Sequence, residues 1–210
     1  MAFIDTIAAS RAAGEVRDMY QRQQAFWGYV PNYAKVFSHR PEVLARWGRL
    51  LAEIRRPMDD RRFELVTFAA AHALRNTACA LAHGKALTAF FSAEQVLALA
   101  EHGDTGTLGP AERAMIGLAR KVAIDAAAVD QGDVEALRGY GFSDAEIFDI
   151  VATAAGRAFF TKLLDGLGVL GDAAMLALDE AFRQGLSVGR PIDGDDAERL
   201  SDAAEPVLQA

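Results

Sequence analysis

Apolar side chains recur along this chain at spacings of three and four residues, the period of helices with one buried face. After Pro41, the side chains of Val43, Leu44, Trp47, Leu50, Leu51 and Ile54 share one stripe, which predicts a helix opening at the proline. Asp59 or Asp60 is placed to cap the next run, DRRFELVTFAAAHAL, whose acidic first turn suits the positive end of a helix dipole. Ser92-Ala-Glu-Gln95 and Ser143-Asp-Ala-Glu146 each pair a serine with a carboxylate or amide three places on, the capping-box signal. Pro110 opens PAERAMIGLARKVAID as Pro41 opens its own helix. No run of alternating β-branched residues predicts a strand. With further helices over 14–26, 133–140 and 172–184, the pattern predicts an all-α protein of roughly nine or ten helices joined by short connections.

Two pairs of segments echo each other. RFELVTFA (62–69) matches ERAMIGLA (112–119), and SAEQVLALA (92–100) matches SDAEIFDIVA (143–152), each pair offset by about fifty residues. Either the bundle stacks two similar helical units, or capped helices with short connections simply look alike. Only the first copy holds a cysteine and histidines. Residues 1–186 read as a single helical domain, and 187–210 turn polar, as expected of a tail that hugs the surface or frays.

Composition narrows the class. The 210 residues are 51% hydrophobic, enough for a real core in one or two domains. A formal net charge of −7 argues against non-specific binding to nucleic acid. No stretch reaches the roughly 18 apolar residues of a membrane helix, so no membrane partner is expected. The N-terminal stretch carries Asp5 and no basic leader, and a cytoplasmic location follows as the expectation. Cys79 is the sole cysteine, so it has no partner in its own chain for a disulfide or a multi-thiolate zinc site. No nucleotide- or phosphate-binding pattern is present, and Cys79, His83 and Glu64 lack a metal-ligand spacing signature. Neither a cofactor nor a metal is expected.

The chemistry concentrates in residues 64–83. Cys79 and His83 are four apart, which on one helix brings their Cβ atoms to about 5–6 Å. An imidazole there takes the thiol proton or steadies the thiolate, the reactive form of the sulfur. If Asn76 caps a new helix, Cys79 falls in its first turn, where the dipole favours the anion. The other reading of Cys79 is a small buried apolar residue in an alanine-rich helix. Glu64 would lie roughly 22 Å from Cys79 on one straight helix. A break at Arg75-Asn76 instead makes a helical hairpin, setting Glu64 near His83 and His72 opposite Cys79. Glu64 then orients His83, and His83 exchanges the proton of Cys79. Each residue has a structural alternative: a solvated carboxylate for Glu64, a core side chain for His72, a surface side chain for His83. Phe63, Phe68, Trp27, Tyr29 and Tyr33 are candidate pocket walls. Arg157, or an arginine among Arg46, Arg49, Arg55, Arg56, Arg61 and Arg62, is available to a carboxylate substrate.

Glu64, an eleven-residue interval, Asn76, Cys79 and His83 together resemble the carboxymuconolactone decarboxylase superfamily, which includes the alkylhydroperoxidase D (AhpD)-like proteins. Those peroxidases carry Glu, eleven residues, then Cys-x-x-Cys-x-x-x-His. The flanks VPNYAKVFSHRPEVLARW (30–47) and SDAEIFDIVATAAGRAFFTKLLDGLG (143–168) resemble the superfamily as well. The resemblance implies an AhpD-like helical bundle, a homo-oligomer such as a trimer or hexamer, and a peroxiredoxin-type antioxidant activity. Asn76 replaces the first cysteine, so a sulfenic acid on Cys79 has no resolving thiol in its own chain. Three readings follow. One is a one-cysteine peroxidase that uses Cys79, His83 and Glu64 on a hydroperoxide with an external thiol as reductant. The second is a redox-silent decarboxylase, isomerase or lyase using Glu64 and His83 on a small acid or lactone. The third is a non-catalytic oligomeric module.

Overall fold

The computed structural model describes residues 2–194. The capping residues set its helix starts. Asp59 accepts a hydrogen bond from the Arg62 amide at 2.8 Å, and the boxes at Ser92/Gln95 and Ser143/Glu146 are both closed. The helices are α1 (Gly14–Trp27), α2 (Asn32–Val36), α3 (Pro41–Arg55), α4 (Asp60–Ala73), α5 (Thr77–Leu87), α6 (Ala93–His102), α7 (Pro110–Asp125), α8 (Gln131–Gly139), α9 (Asp144–Gly166) and α10 (Glu180–Leu186). Among the described residues the all-α expectation holds; a single bridge between Gly171 and Ile192 is the one β contact. No helix there is long and apolar enough to cross a membrane.

Two boundaries differ from expectation. The helix expected over 172–184 is split into a short 3₁₀ turn, Ala173–Ala177, and α10. Asp179 leaves helical geometry (ψ 137°) and accepts from the Phe182 amide, so it starts a new helix instead of continuing the old one. Similarly, α8 begins at Gln131 because Asp130 and Asp133 cap it reciprocally.

Helix α4 is the axis of the bundle. Residues 63–71 are all buried, an apolar surface on every side that only a helix surrounded by others can satisfy. It packs on α5, α7 and α9. Each fully buried side chain such as Phe68, Leu65 or Leu81 contributes roughly 2 kcal/mol. The echo between 62–69 and 112–119 thus becomes a direct packing of α4 on α7. The second pair is unequal: α6 has 10 residues and α9 has 23.

Two apolar clusters flank α4. The larger joins α4–α7, α9 and α10. The smaller gathers Met19, Tyr20, Ala34, Val36, Phe37, Leu44, Ala71, Cys79, Phe160, Leu164 and Val169. Cys79 belongs to the smaller one.

The break at Arg75-Asn76 is present. The Asn76 amide reaches back to the Ala71 carbonyl (3.2 Å) and the Arg75 amide to that of His72 (2.9 Å). That pair of bonds is a Schellman stop, which needs a left-handed residue after the last turn. Arg75 supplies it at φ 59°, where glycine is the usual choice. Its side chain is used instead: Nε donates to the Val188 carbonyl at 3.0 Å.

Residues 188–192 therefore lie across the hairpin turn. The Gly189 amide donates to Thr77 Oγ1 at 2.9 Å, and Ile192 is buried. Of the segment expected as a polar tail, residues 195–210 lie outside the described residues.

Candidate active site

The hairpin brings α5 back along α4. Glu64 Oε2 lies 2.7 Å from His83 Nδ1, and Glu64 is 8% exposed. A carboxylate at that distance fixes the proton on Nδ1 and leaves Nε2 as a base. Burial is the main cause holding His83 below its ordinary value; the nearby Arg157 adds to this and Glu64 opposes it. The imidazole is therefore neutral at neutral pH.

Cys79 sits one turn earlier on α5. Asn76 caps the helix, its Oδ1 accepting from the Cys79 amide at 2.9 Å. The Asn76 amide nitrogen in turn donates to Asp165 Oδ1 at 2.9 Å. The sulfur faces α9, where Arg157 Nη1 stands 3.7 Å from Sγ. The Thr161 hydroxyl is near the thiol but forms no complete hydrogen bond. Burial pushes the Cys79 thiol up; Arg157 and Thr161 pull against it, and Asp165 adds to the rise. A thiol lowered by its helix N-terminus was the expectation. Desolvation of a residue that is only 6% exposed outweighs that effect.

The structure thus joins Glu64 to His83 and Cys79 to Arg157, and no hydrogen bond links His83 to Cys79. Arg157 lowers both titrations.

Other expected positions fall as follows. His72 is not opposite Cys79: its ring stacks on Phe68 with centroids 5.7 Å apart. Burial first, then Arg120 of α7, holds its pKa down. Successive residues leave a helix about 100° apart, and Ala71, not His72, is the one packed in the cluster with Cys79. Phe68 is fully buried in the larger cluster and would contact a Cβ on Gly84 at 3.3 Å. Tyr33 is beside the site, its ring edge-on to Phe160 at 5.4 Å. The Tyr33 hydroxyl accepts from Trp27 Nε1 at 3.1 Å and donates to Gln23. Burial raises its pKa, and the thiol of Cys79 adds to the rise. Tyr29 points instead at Asp172, and Phe63 is a core residue. Arg55, Arg56, Arg61 and Arg62 pair with Asp60, Glu53, Glu112 and Glu146.

Trp47, Phe160, Thr161 and Asp165 were not anticipated. Trp47 stacks on Phe160 at 4.4 Å, and the Arg157 guanidinium carbon is 5.9 Å and 5.6 Å from their ring centroids. A signal was available: Arg157, Thr161 and Asp165 recur every fourth residue, a polar stripe on an otherwise apolar stretch of α9. Among the described residues, no three His, Cys, Asp or Glu side chains converge as metal ligands.

Residues 41–121 match the carboxymuconolactone decarboxylase family, a span that includes Glu64, Asn76, Cys79 and His83. Among solved structures, the chain is similar to the alkylhydroperoxidase AhpD core of an uncharacterized peroxidase-related protein from Ralstonia eutropha JMP134. The TM-score is 0.71 at 21% identity, over 90% of this chain and 98% of that one. An uncharacterized peroxidase-related protein from Silicibacter sp. TM1040 gives 0.72 at 20% identity, over 84% and 94% of the two chains. The debrominase Bmp8 gives 0.68 at 17%, over 86% and 96%. It is also known as a cysteine-to-alanine variant in complex with 2,3,4-tribromopyrrole. No curated protein matches the sequence. At these identities the structures establish the fold, which is AhpD-like and all-helical.

Proposed function

We propose that this AhpD-like member of the carboxymuconolactone decarboxylase superfamily is a thiol-dependent peroxidase of the one-cysteine type. The observation that carries the reading is the Arg157 guanidinium 3.7 Å from the Cys79 sulfur. A buried cation in that place stabilises the thiolate over the thiol, which is what a nucleophilic sulfur requires. The names of two neighbours as peroxidase-related proteins point the same way.

The proposed steps build on the Glu64–His83 and Arg157–Cys79 contacts. His83 Nε2 accepts the Cys79 proton, through the bound hydroperoxide, and Glu64 steadies the resulting imidazolium. Sγ attacks the terminal oxygen; the O–O bond breaks, and His83 returns the proton to the departing alkoxide. The products are an alcohol and a sulfenic acid on Cys79. An external thiol then displaces water from that sulfur to give a mixed disulfide, and a second thiol releases Cys79 and carries away the disulfide. Asn76 takes no part in the electron balance.

A second reading has an observation of its own. Burial holds the Cys79 thiol above its ordinary value, which suits a redox-silent enzyme in which Glu64 and His83 alone move protons on a small acid or lactone. Alkylation of Cys79 as a function of pH, with and without hydroperoxide, separates them. The peroxidase reading expects hydroperoxide to block alkylation and Cys79→Ser to abolish peroxide consumption. Unchanged alkylation under hydroperoxide, with Glu64→Gln and His83→Ala the damaging substitutions for a small-acid substrate, rejects it.

The reading includes a cytoplasmic homo-oligomer, a trimer or hexamer. Support for the oligomer comes from large apolar side chains left exposed, Phe26, Ile124 and Phe148. Sedimentation analysis tests it.

A further inference from the structure

We propose that Arg157 is the docking point for the carboxylate of an organic-acid substrate, so that the hydroperoxides turned over at Cys79 are those of acids with an apolar body. The proposal rests on the reading above for the reaction, and on Arg157 alone for the binding.

Several exposed arginines among the described residues have carboxylate partners; the buried Arg157 does not. Arg55, Arg61, Arg62, Arg113 and Arg138 each meet an Asp or Glu within 3.2 Å. Arg157 is 5% exposed and, among the described residues, forms no ion pair. A buried charge without a counter-ion is costly to keep, so its pairing has to come from elsewhere. The sulfur meets only part of the demand, because Nη1 alone faces Sγ, at 3.7 Å. Nε is fully buried and has no acceptor. Turning Nη1 to the sulfur leaves the Nε–Nη2 edge, the side that grips a carboxylate with two parallel hydrogen bonds. A peroxide anion or a second thiolate does not match that fork.

The surroundings set the rest of the ligand. Trp47 and Phe160 flank the guanidinium at 5.9 Å and 5.6 Å, rings that suit an apolar or aromatic body. Trp47 also lines the groove between α3 and α9, with Val43, Leu50, Ile54, Gly156 and Phe159, which places an apolar approach next to the charge. A bound carboxylate also offsets the field with which Arg157 holds His83 down. The base beside the reacting sulfur therefore strengthens when an acid is bound.

The test uses the reduced full-length protein with benzoate and benzamide, two ligands of the same shape and different charge. Calorimetry is expected to find benzoate bound at least tenfold more tightly than benzamide, a preference that Arg157→Gln removes and Arg157→Lys keeps in part. The His83 ring resonances are expected to titrate at higher pH with benzoate present. Equal binding of the two ligands, or no binding of either, overturns the proposal without requiring any variant to fold. An unmoved His83 titration in the benzoate complex overturns it as well. Peroxide consumption is measured separately. Benzoate selectivity without turnover sinks the peroxidase reading and leaves the carboxylate site; turnover without selectivity does the reverse.

Discussion

Replacing Asn76 by alanine removes two interactions whose sizes can be set apart. The first is the cap on α5, the 2.9 Å bond from the Cys79 amide to Oδ1, worth about 1 kcal/mol. The second is the 2.9 Å bond to Asp165, whose carboxyl burial already pushes upward in pKa. Losing that donor costs about 1 kcal/mol more, at the low end of the range because the carboxyl is only half-buried. The sum, about 2 kcal/mol, lowers the melting temperature by roughly 4–8 °C in a chain of this size. Asn76→Ser keeps an acceptor at the cap and loses only the bond to Asp165, so it should cost about half as much. Asn76→Asp keeps the cap but sets a carboxylate against Asp165, so its penalty should grow as pH rises above about 4. Urea denaturation of the three variants at pH 5 and 7 measures all of this. Equal losses for alanine and serine, or an alanine loss below about 0.5 kcal/mol, would show that Asn76 is not the joint between α5 and α9.

Gly189→Ala should destabilise by more than about 2 kcal/mol, because its Cβ would lie 1.7 Å from the Arg75 carbonyl oxygen, backbone that cannot step aside. Urea midpoints report it. Asn76→Cys creates a two-thiol spacing, and hydroperoxide should then drive an intrachain disulfide to Cys79, read by mass spectrometry after trapping free thiols; two thiols left unoxidised would contradict the assigned nucleophile. Because His83 and His72 are both held down, the unfolded chain binds more protons below about pH 6.5, and stability should fall as pH falls through that window, by at most about 1.4 kcal/mol per unit per group. Cys79 is held up, so stability should fall as pH rises above about 8.5 toward its folded value. His83→Gln should flatten part of the acid limb and Cys79→Ser the alkaline one, both visible in denaturation midpoints across pH.

Helix starts were legible because caps are local chemistry: Pro41, Asp59, Ser92, Pro110 and Ser143 each act within a few residues of themselves. The hairpin at Asn76 was legible for the same reason, and from it the approach of Glu64 to His83. What sequence did not yield depends on which way a side chain leaves its helix. His72 and Ala71 are neighbours in the chain and face different clusters. Counting residues back from a turn gives axial height without azimuth, which sets His72 level with Cys79 but misses that its ring stacks on Phe68. The fate of the sulfur was hidden for a different reason. Its environment is made by α9, seventy-eight residues away, and desolvation is a property of the assembled core that no local spacing carries.

An asparagine at position 76 bears on more than the count of thiols. A helix N-terminus assists a thiolate through its free amides. Here the amide of Cys79 itself is already committed to the Asn76 side chain, and that of Ala80 to the Asn76 carbonyl at 2.9 Å. Only the first of these depends on the side chain at 76, so the asparagine cap spends one donor that would otherwise lie near the sulfur. Whatever steadies an anion there has to arrive from across the bundle, and α9 delivers it as Arg157, with Thr161 one turn on and Asp165 opposing from two turns on. The same α9 stripe that faces the sulfur also holds the cap, through Asp165 and Asn76. Stability and reactivity at this turn are therefore set by different members of one row of side chains: Asp165 ties the hairpin down while raising the thiol, and Arg157 lowers the thiol and takes no part in the cap. A substitution at 157 should move the alkylation pH profile of Cys79 upward and leave the capping bond intact, whereas Asp165→Asn, which keeps an acceptor for Asn76, should move that profile down.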